Sequence, residues 1–166
     1  DIVQKDPYIL CREIKGIGFA TADRIGSMIG INRESDSRIK SGIDFVINRF
    51  CAAGNTYMPK DKVIEETKEL LLVKEELIEG NIYNAFLEKK LIVQKINEME
   101  CVFIPIFYYS ELGITERIAR LSIQNYQTIN TDIEFEISLF EKKSGINFAG
   151  SQKEAIMGAF TDGIEI

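Results

Sequence analysis

The sequence has no histidine and no tryptophan, and only three cysteines and three prolines among its 166 residues. Without histidine there is no Ser–His or Cys–His catalytic pair. A zinc site built on cysteine and histidine is excluded as well. Cys11, Cys51 and Cys101 are widely spaced, odd in number and free of any Cys-x-x-Cys pair. A disulfide framework is therefore not expected, and the three read as buried, reduced thiols. No apolar run approaches the ~20 residues that span a bilayer, so no membrane partner is expected. No initiator methionine and no basic-then-apolar leader opens the chain, which reads as an excised piece of a longer intracellular protein. A basic surplus is also lacking. The net charge of -6 argues against indiscriminate nucleic-acid binding.

What is present suits a globular chain. Hydrophobic residues at 45% and charged residues at 28% allow a buried core, in one ordinary domain or two small ones. The charge is uneven. Residues 1–54 hold eight basic and seven acidic side chains, whereas the rest hold 12 and 19. Nucleic-acid contact is thus more plausible in the first third, and local there.

Residues 7–53 read as short helices. Pro7 suits a first turn. Tyr8, Ile9 and Ile14 form an apolar face. A second helix runs from Thr21 to Met28, with Ala22, Ile25 and Ile29 on one side, and Gly30 ends it. Ser35 or Asp36 caps a third helix over 37–53, carrying Ile39, Ile43, Val46, Ile47 and Phe50 at helical steps. Between the first two helices lies Gly16-Ile17-Gly18.

A Gly-apolar-Gly turn between helices admits backbone angles that a β-carbon forbids. It also brings unpaired amides at a helix start within reach of a phosphate. Such a site holds backbone rather than base edges. Ile17 is expected to plug into the core. The candidate DNA-binding residues are Lys15, Gly16, Ile17, Gly18, Phe19, Ala20, Thr21 and Arg24. Ala20 stands where a basic residue often follows the hairpin, and Lys15 and Arg24 partly substitute. One cationic contact fewer lowers the salt slope by about one.

Farther on, Pro59-Lys60-Asp61 opens a helix with Val63, Ile64, Thr67, Leu70 and Leu71. A second spans about 75–89, with Leu77, Ile78, Ile82, Phe86 and Leu87 inward. "LIVQKI", "NEME" and "CVFIP" then form a β-hairpin. Helix, helix, hairpin is the order of a winged helix-turn-helix. A helix over about 107–122 follows, with Leu112, Ile118 and Leu121 inward. Residues 124–131 read as a linker. Asp132–Lys143 is amphipathic through Ile133, Phe135, Ile137 and Phe140, and Gly145 breaks it. A short helix ends at Gly163, and "IEI" begins a strand. The 75–89 helix offers Glu75, Glu76 and Glu79 outward, which repel phosphate, so scaffold or partner contact is favoured over groove reading. Tyr108 and Tyr109 read as core rather than a stacking platform. Glu65, Glu66 and Glu69 read as solvated surface. No residues suggest metal binding or acid–base catalysis, so no catalytic residue is assigned.

The strings "DPYILCREIKGIGFATADRIGSMIGI" and "DSRIKSGIDFVINRFCAAGNTYMP" resemble the N-terminal region of bacterial RecD-like superfamily 1 DNA helicases (exodeoxyribonuclease V alpha-subunit-like), especially the longer members that act without the other RecBCD subunits. The resemblance continues through "IFYYSELGITERIARL" and "INFAGSQKEAIMGAF". It implies an ATP-dependent, 5′-to-3′ helicase of DNA recombination and repair, cytoplasmic in bacteria. The implied partners are DNA, single-stranded or at a duplex junction, and the protein's own motor domains. The implied fold is mainly α with a small β-hairpin. A helix-hairpin-helix bundle (1–54) would precede a winged-helix-like domain (55–123), a linker and amphipathic helix (124–149) and the leading edge of a RecA-like motor (150–166). Gln152 matches the family's adenine-contacting glutamine, whose amide suits an adenine edge. Ala149 replaces the usual Ser/Thr cap, leaving Ser151 or the Gly150 backbone to start that helix.

ATP and magnesium would belong to the parent protein. The sequence holds no Gly-x-x-x-x-Gly-Lys-Ser/Thr loop, so no cofactor and no ATP turnover are expected of the chain itself. The competing readings are a non-enzymatic winged-helix regulator or interaction module and, less well supported, a helix-hairpin-helix glycosylase. Oligomeric state is open.

Overall fold

The computed structural model describes residues 3, 6–123 and 131–161. Among them are eight helices and three strands: α1 (Ile9–Glu13), α2 (Phe19–Met28), α3 (Asp36–Ala52), β1 (Tyr57–Pro59), α4 (Lys60–Leu71), α5 (Glu75–Leu87), β2 (Ile92–Ile96), β3 (Met99–Phe103), α6 (Pro105–Ile123), α7 (Ile133–Ser144) and α8 (Gly150–Thr161). The mainly helical class with a small antiparallel sheet is as expected. The chain divides into two compact units, residues 1–111 and 112–166.

The first unit has one continuous core. Ile39, Ile43, Val46 and Ile47 of α3 are fully or almost fully buried, and their three- and four-residue spacing is what a core-facing helix requires. Met58, Val63, Leu71, Ile78, Ile82 and Val102 close over them. The sheet order is β1-β3-β2, antiparallel throughout, with Val93 opposite Val102 and Met58 opposite Val102 on β3's other side. The sequence reading found the β2–β3 hairpin but not β1. Three residues ending in proline carry almost no alternation signal, and Pro59 is tolerated because β1 is an edge strand. The hairpin turns through Asn97 and Glu98, both with positive φ (47° and 68°), as a two-residue type I′ turn demands.

Several expected inward residues lie outside. On α5, Phe86 and Leu87 are exposed, and Asn81 and Ala85 take the buried positions with Ile78 and Ile82. On α6, Leu112, Ile118 and Leu121 are exposed. Amphipathic spacing shows which residues share a face, not that anything covers it. Of the thiols, Cys51 and Cys101 are buried, and burial pushes both above the usual thiol range. Cys11 is only half-buried and packs against the core from outside. All three are free.

In the second unit, Asp132 caps α7 by accepting from the Phe135 amide (3.0 Å), and Gly145 ends the helix at φ 73°. Phe140 stacks on Phe148 (5.8 Å between centroids). Glu141 accepts from the Phe148 amide (2.8 Å) and pairs with Lys153 of α8 (2.9 Å). Of the expected inward residues Ile133, Phe135, Ile137 and Phe140, only Ile137 is buried. Phe135 and Phe140 are exposed. The expected linker over 124–130 and the expected strand over 164–166 lie outside the described residues.

Candidate nucleic-acid interface

The hairpin begins with Asp6, whose carboxylate accepts from the Tyr8 amide (3.1 Å) and starts the first turn. After α1 the chain bends through Ile14 (φ -115°, ψ 112°), and the Ile17 amide closes back on the Ile14 carbonyl (3.2 Å). Gly16 holds φ +94°, where a side chain would be strained. Gly18 differs. As the residue preceding α2 it has φ -90° and ψ 173°, extended backbone open to any residue. A β-carbon there would meet nothing within 4 Å. The expectation that both glycines serve backbone angles holds at Gly16 and fails at Gly18.

Among the described residues, the amides of Gly16, Gly18, Phe19 and Ala20 have no hydrogen-bond acceptor. The last three are consecutive at the start of a ten-residue helix, where the helix dipole is positive. Gly16, Gly18 and Ala20 are exposed. These are donors with no acceptor within the described chain, three of them in sequence and two of those on exposed residues.

The turn is fastened from behind. Phe19, not Ile17, is the plug. Its side chain is buried and stacks between Tyr8 (5.9 Å) and Phe45 of α3 (5.6 Å), whereas Ile17 is half-buried. Phe19 therefore has only its amide to offer a ligand. Ala22 is fully buried, and Gly26 lies so close to Tyr8 that a β-carbon would sit 3.1 Å from the phenol oxygen. Small residues at α2 thus let α1 cross tightly.

A polar tether adds to the aromatic one. The Tyr8 hydroxyl donates to Asp23 (2.7 Å), and Arg38 of α3 clasps the same carboxylate through Nε (2.7 Å) and Nη2 (3.1 Å). Arg38 also donates to the carbonyls of Arg33 (2.9 Å) and Leu71 (3.0 Å). One buried guanidinium so joins the hairpin, α3 and the end of α4. Burial works against the Asp23 charge, but the bonds from Arg38 and Tyr8 outweigh it and hold the carboxyl below its usual range. Burial, with Asp23 alongside, pushes the Tyr8 phenol well above its ordinary value. The bond to Asp23 raises the Arg38 guanidinium above its ordinary value, against the effect of burial. Sequence reading did not find this triad. Tyr8, Asp23 and Arg38 are fifteen residues apart in turn, and no local pattern links them.

The other candidates differ in exposure. Lys15 and Arg24 are exposed and make no ion pair among the described residues, and Thr21 is half-buried. A hollow of about 380 Å³ beside the turn is lined by Cys11, Ile17, Gly18, Ser41, Phe45 and Asn48 among others. Gln152 lies on exposed α8, in the other compact unit. Its Oε1 accepts from the Ala149 amide (2.9 Å), so Gln152 itself closes the helix start in place of a Ser/Thr cap. Among the described residues no group of three or more Cys, Asp or Glu is placed to hold a metal ion, and no helix is long and apolar enough to cross a membrane.

Residues 1–57 match the family model described as the HHH domain of ATP-dependent RecD2 DNA helicases. With the hairpin geometry beneath it, that match supports assigning this stretch to the N-terminal region of a RecD2-like helicase.

Proposed function

We propose that this chain is the DNA-engaging front of an ATP-dependent, 5′-to-3′ helicase of the RecD family, acting in recombination and repair in the bacterial cytoplasm. The hairpin grips a phosphate through the amides of Gly18, Phe19 and Ala20. Lys15, Arg24 and the Thr21 hydroxyl flank that phosphate, and base edges go unread. The observation that carries this reading is Gly18. Neither its backbone angles nor its surroundings within the chain call for glycine. A missing β-carbon beside a row of unpaired amides leaves room for something from outside.

Residues 55–111 serve as a winged-helix-like scaffold, a reading supported by the order β1, α4, α5, β2, β3. The acidic outer face of α5 argues against its entering a DNA groove. In the parent protein Gln152 faces the adenine of ATP, with magnesium on the phosphates of a motor domain that also packs on this chain. The chain by itself turns over no ATP, because the phosphate-binding loop is not in its sequence.

Gly18→Ala is the direct test. The angles suit alanine and no atom obstructs it, so the melting temperature should fall by no more than a few degrees, in line with roughly 1 kcal/mol for a poorer helix start. Affinity for a fluorescent oligonucleotide, measured at two salt concentrations, should drop at least about tenfold. Unchanged affinity would make the hairpin a packing device and end this reading.

A further inference from the structure

A groove on the first unit is unaccounted for by the hairpin. It lies between α5 and the β2–β3 hairpin, with Ile82, Tyr83, Phe86 and Val93 as its apolar lining and Lys60, Glu79 and Glu100 at the edge, and encloses about 310 Å³. Tyr83 is 61% exposed and Phe86 also faces water. Two aromatic rings left in solvent beside a core opening are costly to solubility unless something covers them. Glu79 also lines a second hollow, along α4, which holds Ile64 and Leu72. Leu72 is 84% exposed and held at φ 54°, an unfavourable angle for leucine. The two hollows thus meet at Glu79. From Glu75 to Phe86 the path along α5 is roughly 17 Å, the reach of about five extended residues.

Free carboxylates outnumber free cations along this path. Lys60 pairs with Glu100 (2.6 Å), Lys62 with Glu66 (3.8 Å) and Lys68 with Glu75, which leaves Lys74, beside Leu72 and Glu75, as an exposed cation with no ion pair among the described residues. Asp61, Glu65, Glu69, Glu76 and Glu79 have no ion pair among the described residues. A phosphate chain would be repelled here. An apolar lining with unpaired carboxylates around it complements a polypeptide that alternates large apolar and basic side chains.

We propose that the groove between α5 and the β2–β3 hairpin, extended along α4 to Leu72, is a docking site for a basic, aromatic- or leucine-anchored segment of a protein partner. Tyr83 and Phe86 take the apolar anchor. Glu79 and its acidic neighbours hold the flanking lysine or arginine. The site is separate from the glycine hairpin and does not depend on DNA being bound there.

The test uses the full chain with three fluorescent probes: a short peptide alternating lysine with leucine and phenylalanine, the same peptide with glutamate for lysine, and a thymidine oligonucleotide. The basic peptide should bind saturably and shift the amide resonances of α5 and β2, and the acidic one should not bind. Tyr83→Ala with Phe86→Ser should weaken the basic peptide about tenfold at unchanged net charge, and so should Glu79→Lys. Glu134→Lys on α7 makes the same charge change elsewhere and should cost less than about twofold. Should the double variant lose its circular dichroism, Tyr83→Ala alone decides, since that ring is mostly in solvent. The proposal is overturned if Glu134→Lys weakens the peptide as much as Glu79→Lys. It is equally overturned if the aromatic variants keep full affinity. Larger shifts of the groove resonances with the oligonucleotide than with the peptide would also overturn it, by making the groove a nucleic-acid surface.

Discussion

The two compact units use the same kind of helix to different ends. In residues 1–111, α3 puts Ile39, Ile43, Val46 and Ile47 into a core that α4, α5 and the sheet close from several sides. In residues 112–166, α7 carries an equally regular apolar face, yet only Ile137 is buried while Phe135 and Phe140 stay in water. The difference is supply. In the first unit α3 packs on α2, α4, α5 and β1, whereas the packing described for α7 is on α8, and two helices cannot bury a wide apolar stripe on both partners. An amphipathic helix is a request for a neighbour, and among the described residues the first unit answers it more fully.

Core truncation separates the units most sharply. Ile47→Ala should destabilise the first unit by about 2–5 kcal/mol, read by chemical denaturation, because the fully enclosed site leaves a cavity. Phe140→Ala should cost less than about 1 kcal/mol by the same measurement, since half of that ring is already wet. Equal costs would mean that the second unit is as well packed as the first.

The next effect belongs to the tether behind the hairpin. Arg38→Leu should cost about 2–3 kcal/mol, because it strands the Asp23 carboxylate and the Leu71 carbonyl in a partly buried place. Tyr8→Phe removes one hydrogen bond and should cost about 1 kcal/mol. Hydrogen exchange would show whether α1 and α2 loosen ahead of α3 in both variants.

Acid should act on the same place. The folded Asp23 carboxyl lies below its unfolded value of 3.8. Its stabilisation is therefore complete above that value and is lost as pH falls through the lower folded value. Unit 1 should thus lose stability below about pH 4, and Asp23→Asn should flatten that loss in a pH series of melting curves. The smallest effect is expected at the hairpin tip. Lys95→Ala breaks an exposed pair with Glu98 and should change stability by less than about 0.5 kcal/mol.

Much of the fold was legible because local rules carried it. Pro59, Gly30, Gly145 and Asp132 mark helix ends through fixed backbone preferences. The α3 and α4 periodicities needed no tertiary help. What was not legible depends on neighbours distant in sequence. β1 exists only because β3 lies beside it, at Tyr57 opposite Phe103. Glu66, expected to be solvated, is bonded to Arg49 of α3 (2.7 Å). Phe19 and Ile17 are two residues apart and both apolar, so only the placement of Tyr8 and Phe45 selects Phe19 as the plug.

For this protein the sequence alone determined the order of helices, the bend at Gly16-Ile17-Gly18 and the absence of histidine from these 166 residues. Those follow from residue type and spacing, which act over a few bonds. Tertiary structure alone decided that neither the backbone angles nor the space at Gly18 requires glycine, that Arg38 ties three helices together, and which apolar faces find cover. Those are matters of distance between remote parts of the chain, set when the whole core closes and not before.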